Sequence, residues 1–224
     1  MQWTDEGYLL SKFNFDENSI IIQTFTLNHG KYTGIVYGGT SRKQKQIFQT
    51  GNKIYLNWKS KSENKFGYFT VELIKPITPL YFDDKKKSAC ILSASSILKI
   101  LLPERQINKR IYSSFESFLN ELKFDNWINL YIFWELSLIK ELGFELDYLE
   151  TLNSKKSNNP TIEINDKLFK LPNILVKKDM KNNYNNDISE ALAFNRNLFM
   201  ENFITPNNLQ FPLYRSILES YYSN

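Results

Sequence analysis

The sequence predicts an α+β fold: a small closed β-barrel at the amino end, followed by a helical domain. Three observations predict it. Short runs rich in β-branched and aromatic residues crowd the first eighty or so positions. Glycine- and asparagine-led turn signals separate these runs. After Pro79 the apolar residues recur with helical spacing instead.

The barrel part is read from five runs. Tyr8–Phe13 has strand composition, and Ser19–Thr26 is dominated by isoleucine and threonine. Asn28-His29-Gly30 is a turn, Lys31–Tyr37 the next strand, and Gly38-Gly39 its end. Gly51-Asn52 opens Lys53–Trp58, which alternates with period two, and Phe66–Ile74 is the fifth run. Five short strands suit a five-stranded OB-fold, with an SH3-like barrel as the alternative.

The helical part follows the same logic. Ile91, Ala94, Ser95, Leu98 and Leu101 share one helical face, and Pro103 stops the run. Ile111, Phe115, Phe118, Leu119 and Leu122 share another. Trp127–Leu142 is apolar on more than one side, which predicts a central helix with Gly143 as its C-cap. The polar Asn153–Pro160 is a loop, and Thr161–Leu171 a hairpin turning at Asn165-Asp166. Two more helical patterns follow, through Ile188–Phe203 and Leu213–Tyr221. The expected organisation is a barrel over 1–79 and a helical domain over 80–224 with a small insert at about 150–178.

Composition narrows the chemistry. The 224 residues carry a formal net charge of +4, with 42% hydrophobic, 23% charged and 15% aromatic side chains. One cysteine, Cys90, cannot form an internal disulfide. One histidine, His29, and that cysteine fall well short of a structural zinc set, so no metal or cofactor is expected. His29 reads as a turn residue and Cys90 as a buried one. The acidic pairs Asp83-Asp84 and Glu145-Asp147 have no base or ligand pattern beside them, so an enzyme is not expected. The opening residues lack the basic start of a signal peptide, and no apolar run spans a bilayer, so a cytoplasmic location is expected.

The uneven charge map carries the functional reading. Lys31, Arg42, Lys43, Lys45, Lys53, Lys59 and Lys61 lie in a stretch without a single acid. Cations on one barrel face neutralise phosphates and release condensed counterions, which binds DNA without reading its sequence. Tyr37, Tyr55 and Trp58 lie among them as candidates for stacking on unpaired bases. The loop Gly38–Lys45 is glycine-led and basic, a candidate phosphate cradle, but it is not a P-loop. The bland alternative is a solvated barrel whose rings are all core.

Trp3–Leu10, Glu17–Ile21, Phe25–Lys31, Gly38–Arg42 and Gln49–Asn52, in that order, resemble the amino-terminal domain of the RecO family. Leu102–Arg105 and Phe133–Phe144 are similar to its helical core, and Pro212–Arg215 continues the likeness more weakly. The resemblance implies an OB-fold and a helical domain. It also implies a bacterial, nucleoid-associated recombination mediator that binds single- and double-stranded DNA and anneals complementary strands. Its implied partners are RecR and single-strand-binding protein and, indirectly, RecA; no membrane is implied. Many relatives carry a zinc-ribbon-like insert; here cysteines are missing from it, so a metal-free remnant is expected. Relatives also often carry an arginine just before the Glu135-Leu136-Ser137-Leu138 stretch, implied to hold the acidic tail of single-strand-binding protein. Here Ile132 and Phe133 stand there, which leaves Arg110, Leu130, Phe133 and Lys140 as candidates. A protein-interaction adaptor without direct DNA binding, and a small hydrolase or transferase, are the competing readings.

Overall fold

The structure, a computed structural model, describes residues 1–42, 44–61, 66–144, 160–165, 167–177 and 185–223. The chain forms two compact units. One is Met1–Ser113 with Pro212–Arg215, the other Ser114–Phe211 with Ser216–Asn224.

In the first unit, β1 (Gln2–Asn14), β2 (Ser19–Thr26), β3 (Gly30–Tyr37), β4 (Lys53–Lys59) and β5 (Gly67–Lys75) close a barrel in the order β1-β2-β3-β5-β4. The closing pair, β3 with β5, is parallel, the arrangement of the OB-fold. β1 begins well before the expected Tyr8, because its first half pairs with β4 and its second half with β2. The strand changes partner at Gly7, in register with both Thr26 and Ile54; a side chain there would strike the Phe25 carbonyl at 2.6 Å. Inside sit Leu9, Ile22, Ile54 and Leu56, none of them exposed, with Trp58 and Phe69. Each such side chain contributes about 1.5–3 kcal/mol by leaving water.

Three devices fix the ends of the barrel. Asp5, buried in β1, accepts hydrogen bonds from the Asn28 amide and the His29 ring, both at 2.8 Å, and so ties down the β2–β3 turn. His29 stacks on Trp3 at 4.0 Å, so it is the turn residue the sequence suggested. The free edge of β3 is covered by residues 104–106: the Arg105 amide donates to the Lys31 carbonyl at 2.8 Å. Gly30 permits this approach, since a Cβ there would lie 2.1 Å from the Gln106 carbonyl oxygen.

Helix α1 (Lys85–Leu101) packs on β1 and buries Cys90, Ile91, Ala94 and Leu98. The Asp84 carboxylate caps it by accepting from the Lys87 amide, a structural use for one of the paired acids. Helix α2 (Lys109–Glu121) starts at Asn108, whose side chain accepts from the Ile111 amide.

The second unit is built round α3 (Trp127–Glu141). Phe118, Tyr131 and Trp134 form a ring cluster against Phe115. Glu135, with no exposure, accepts from the Tyr131 hydroxyl at 2.6 Å and the Asn195 amide group at 3.0 Å. This joins α3 to α5 (Asn185–Phe199). Gly143 ends α3 in the left-handed region (φ 97°), with Phe144 reaching back to the Ile139 carbonyl, as a Schellman cap does. Strands β6 (Thr161–Ile164) and β7 (Lys167–Lys170) form the expected hairpin, which Lys167 ties to Glu201 at 2.7 Å. A short α4 (Asn173–Lys177) follows, and α6 (Leu213–Ser220) is the last helix described. Glu145-Asp147 and all of the expected loop Asn153–Pro160 except Pro160 lie outside the described residues. Among the described residues no three His, Cys, Asp or Glu side chains form a metal-binding group, and no helix is long and apolar enough to cross a membrane.

Candidate nucleic-acid interface

The acid-free basic stretch divides in three once folded. Lys31 and Lys53 are held within the protein. Lys31 is 7% exposed; its ammonium donates to the Lys99 carbonyl at 2.8 Å and lies 3.5 Å from Glu104. Lys53 is ion-paired to Glu6 at 2.9 Å. Neither presents an open cation, which corrects the expectation that both face DNA: acids from elsewhere in the chain fold onto them. Lys59 and Lys61 lie at and beyond the end of β4, Lys59 half-buried and Lys61 exposed.

Arg42 and Lys45 form the third group. They belong to the loop that leaves β3, and both are exposed. Lys43 lies outside the described residues. β1 and β3 run in the same direction, so Lys12, near the end of β1, comes to the same end of the barrel. Burial pushes the Lys12 ammonium below the usual lysine pKa, and the neighbouring charge of Lys45 pushes it further. Two cations that repel each other at a surface favour an anion between them. The nearest acids in sequence are in the β1–β2 turn. There the Asn18 amide, with Ser19 behind it, holds the Asp16 carboxyl below the usual carboxylate range.

Several of the loop's amides are used internally. Gln44–Gln46 forms a 3-10 turn, and the amides of Ser41, Gln44, Lys45 and Phe48 all donate within the loop. Its base is held by Asn52, fully buried, which donates to the Gln46 and Ile47 carbonyls and accepts from the Ile77 amide. These four amides are used within the loop, and the exposed Arg42 and Lys45 side chains are what it presents as charge.

The rings divide too. Trp58 is 3% exposed and belongs to the core, so it offers no face to a base, a second correction to the expected set. Tyr55 is exposed, but its register partners on either side are Glu6 and Glu72. Tyr37 is 67% exposed and lies 6.1 Å from the ring of Tyr68, a residue that no sequence pattern singles out. Phe13 on β1 is also exposed, with the Lys99 ammonium 4.6 Å above its ring. Burial, and behind it the charge of Lys31, lowers the pKa of Lys99.

In the second unit, Leu130, Phe133 and Lys140 share the outer stripe of α3, the first two half-buried and the third exposed. Arg110 is exposed on α2 in the first unit. A shallow pocket of about 310 Å³ opens between Phe169, Lys170, Glu190 and Phe194. Its acid, Glu190, faces Lys170 at 3.7 Å, an ion pair rather than a general base.

Two family models match the chain. One, described as recombination protein O N terminal, covers residues 1–77; the other, recombination protein O C terminal, covers 83–196. Proteins named DNA repair protein RecO are among its relatives. The one from Cereibacter sphaeroides is 37% identical over 147 residues, that from a Wolbachia of Drosophila simulans 35% over 149, and that from Roseobacter denitrificans 34% over 147. The alignments take in 65–66% of this chain and 61% of each relative, so the match spans about three fifths of their length.

Proposed function

The chain belongs to the RecO family of DNA repair proteins, and from that premise we propose that it is a recombination mediator that binds DNA and anneals complementary strands without covalent chemistry. The observation that carries this reading is the pair Lys12 and Lys45, whose charges repel at one end of the barrel, with Arg42 exposed three residues before Lys45 in the same loop. Phosphates entering there relieve the repulsion between Lys12 and Lys45. Lys59 and Lys61 extend the track, and Lys43 stands between Arg42 and Lys45 in sequence. Lys31 and Lys53 hold the barrel together instead. Screening by these cations lets two like-charged strands approach, and the bases do the rest. In the cell the expected partners are RecR and single-strand-binding protein on coated single strands, with RecA loading as the outcome, in the bacterial cytoplasm at the nucleoid.

The test is annealing of complementary oligonucleotides, bare and coated with single-strand-binding protein, alongside binding of a fluorescent duplex across a salt series. If about four phosphates are neutralised, log affinity falls against log salt with a slope of about −3.6. Affinity indifferent to salt removes the proposal. The outer stripe of α3, with Leu130 and Phe133 half-buried and Lys140 exposed, favours a protein contact as well, and it is where a tail of single-strand-binding protein would be sought. A pure adaptor would keep its partner binding after Arg42 and Lys45 are reversed to glutamate, and would never have held DNA.

A further inference from the structure

We propose that the outer face of the barrel carries a second subsite, made of Phe13, Tyr37 and Tyr68, that takes unpaired nucleobases and so separates single-stranded from duplex DNA. This rests on the DNA-binding reading above and adds to it a strand preference and its determinants.

The register places these residues. Phe13 on β1 faces Ile21 on β2, Ile21 faces Ile35 on β3, Ile35 faces Tyr68 on β5, and Tyr68 faces Lys59 on β4. Directly paired residues point to the same side of a sheet, so these five form one row on the outside of the barrel. Tyr37, two residues beyond Ile35, adds its ring beside Tyr68. Each ring in the row has a cation on or next to it: Lys99 over Phe13, Lys59 beside Tyr68. No acid stands in it. Among the described residues the acids nearest the row are Asp16 and Glu17 in the turn after β1, Glu104 against Thr33, where it meets Lys31, and Glu72 beside Tyr55.

Phe13, Tyr37 and Tyr68 are 49%, 67% and 42% exposed, and rings so open to water are costly to leave uncovered. Their occupant is set by the charges among them. A single strand offers flat faces alternating with phosphates; the row offers rings with ammonium groups beside them, Lys99 at Phe13 and Lys59 at Tyr68. A duplex keeps its base faces stacked inside and can use only the cations. Stacking also engages the faces of the bases and leaves their pairing edges free, the state an incoming complementary strand needs.

The test compares wild type with Tyr37→Ala/Tyr68→Ala and with Tyr37→Phe/Tyr68→Phe. Affinities are measured for an unstructured single strand carrying 2-aminopurine and for a hairpin duplex. The alanine pair is expected to lose roughly tenfold in single-strand affinity for each ring. Its duplex affinity should stay within about twofold, and the phenylalanine pair should bind like wild type. Single-strand and duplex affinity falling together overturns the subsite, as does single-strand affinity unchanged in the alanine pair. If that pair binds bare strands normally and fails only on strands coated with single-strand-binding protein, the row is a protein contact and the inference is wrong. A wild-type chain that binds neither DNA removes the DNA-binding reading and this subsite together. Salt-dependent binding by wild type with indifferent ring variants removes the subsite alone.

Discussion

Two parts of one barrel carry cations at similar density and use them in opposite ways. Where β1 meets β4, Lys53 closes on Glu6, and Tyr55 stands between Glu6 and Glu72. Where β1 and β3 end, the charge of Lys45 acts on Lys12, and Arg42 is exposed three residues before Lys45. The first arrangement holds strands together. The second is uncomfortable until an anion arrives. On the proposed reading, what separates structural basic residues from those that meet DNA is the sign of what folds against them, which the count of lysines along the chain does not report.

The largest effect should come from reversing the uncomfortable end. Arg42→Glu/Lys45→Glu is expected to lower DNA affinity at low salt by about a hundredfold or more. The salt slope should become shallower by about 2, since each of the two side chains would otherwise neutralise one phosphate. Both residues lie on the surface, so the melting temperature should hardly move. A variant that binds with the wild-type slope would erase the contrast between the two regions.

Lys31 should behave in the reverse sense. Replacing it with methionine removes the donor to the Lys99 carbonyl and the partner of Glu104. A loss of about 1–3 kcal/mol in unfolding free energy is expected by denaturant titration, since a buried acceptor is left unsatisfied. The salt slope of DNA binding should be unchanged. A full-stability Lys31→Met protein with a shallower slope would move Lys31 back among the residues that meet phosphate.

The contrast also shows what the sequence could and could not tell. Alternation in Lys53–Trp58 and the β-branched run Ser19–Thr26 made the barrel visible, because one face of each strand must be apolar. The start of β1 was hidden because Thr4, Asp5 and Glu6 look like a polar leader, although Asp5 is buried to hold the β2–β3 turn. The outward phase of Phe13 was hidden by a bulge between Leu9 and Ser11, which breaks the period from which facing is read. Lys31 is bonded to a residue 68 positions away, and no local pattern encodes that. Tyr37 and Tyr68 meet only because β3 and β5 close the barrel. Arg42 and Lys45, in the surface loop, kept an open charge; Lys31 and Lys53, on strands, met acids from neighbouring elements.

Lys12 gives a smaller effect with a definite sign. Its pKa is lowered in the free protein by burial and by Lys45, so the folded chain binds this proton less well than the unfolded chain does. Stability therefore rises as pH climbs through the lowered value towards the ordinary lysine range. A phosphate beside Lys12 favours the charged form and takes up a proton. DNA affinity should then fall as pH rises across that alkaline interval, by at most about tenfold per pH unit. In Lys12→Arg, which stays protonated, the dependence should vanish while binding at neutral pH is kept. Anisotropy titrations at several pH values and constant ionic strength decide it. An identical pH profile in the two proteins would mean that no phosphate reaches Lys12.

The smallest expected effect sharpens the comparison most. Tyr55 is as exposed as Tyr68, both at 42%, and by exposure alone the two rings are equivalent ligand platforms. Their neighbours differ. A base stacked on Tyr55 would bring its phosphates towards Glu6 and Glu72, and like charges at short range cost more than one ring returns. Lys53 offsets Glu6, to which it is ion-paired at 2.9 Å, so Glu72 is the charge that opposes a phosphate there. Tyr55→Ala is therefore expected to change single-strand affinity by less than about twofold, against roughly tenfold for Tyr68→Ala. Tyr55→Ala combined with Glu6→Gln and Glu72→Gln releases Lys53 from its ion pair, so binding should hold or strengthen although a ring has been lost. Equal losses from Tyr55→Ala and Tyr68→Ala would show that exposure, not the charge around the ring, decides where a strand lies.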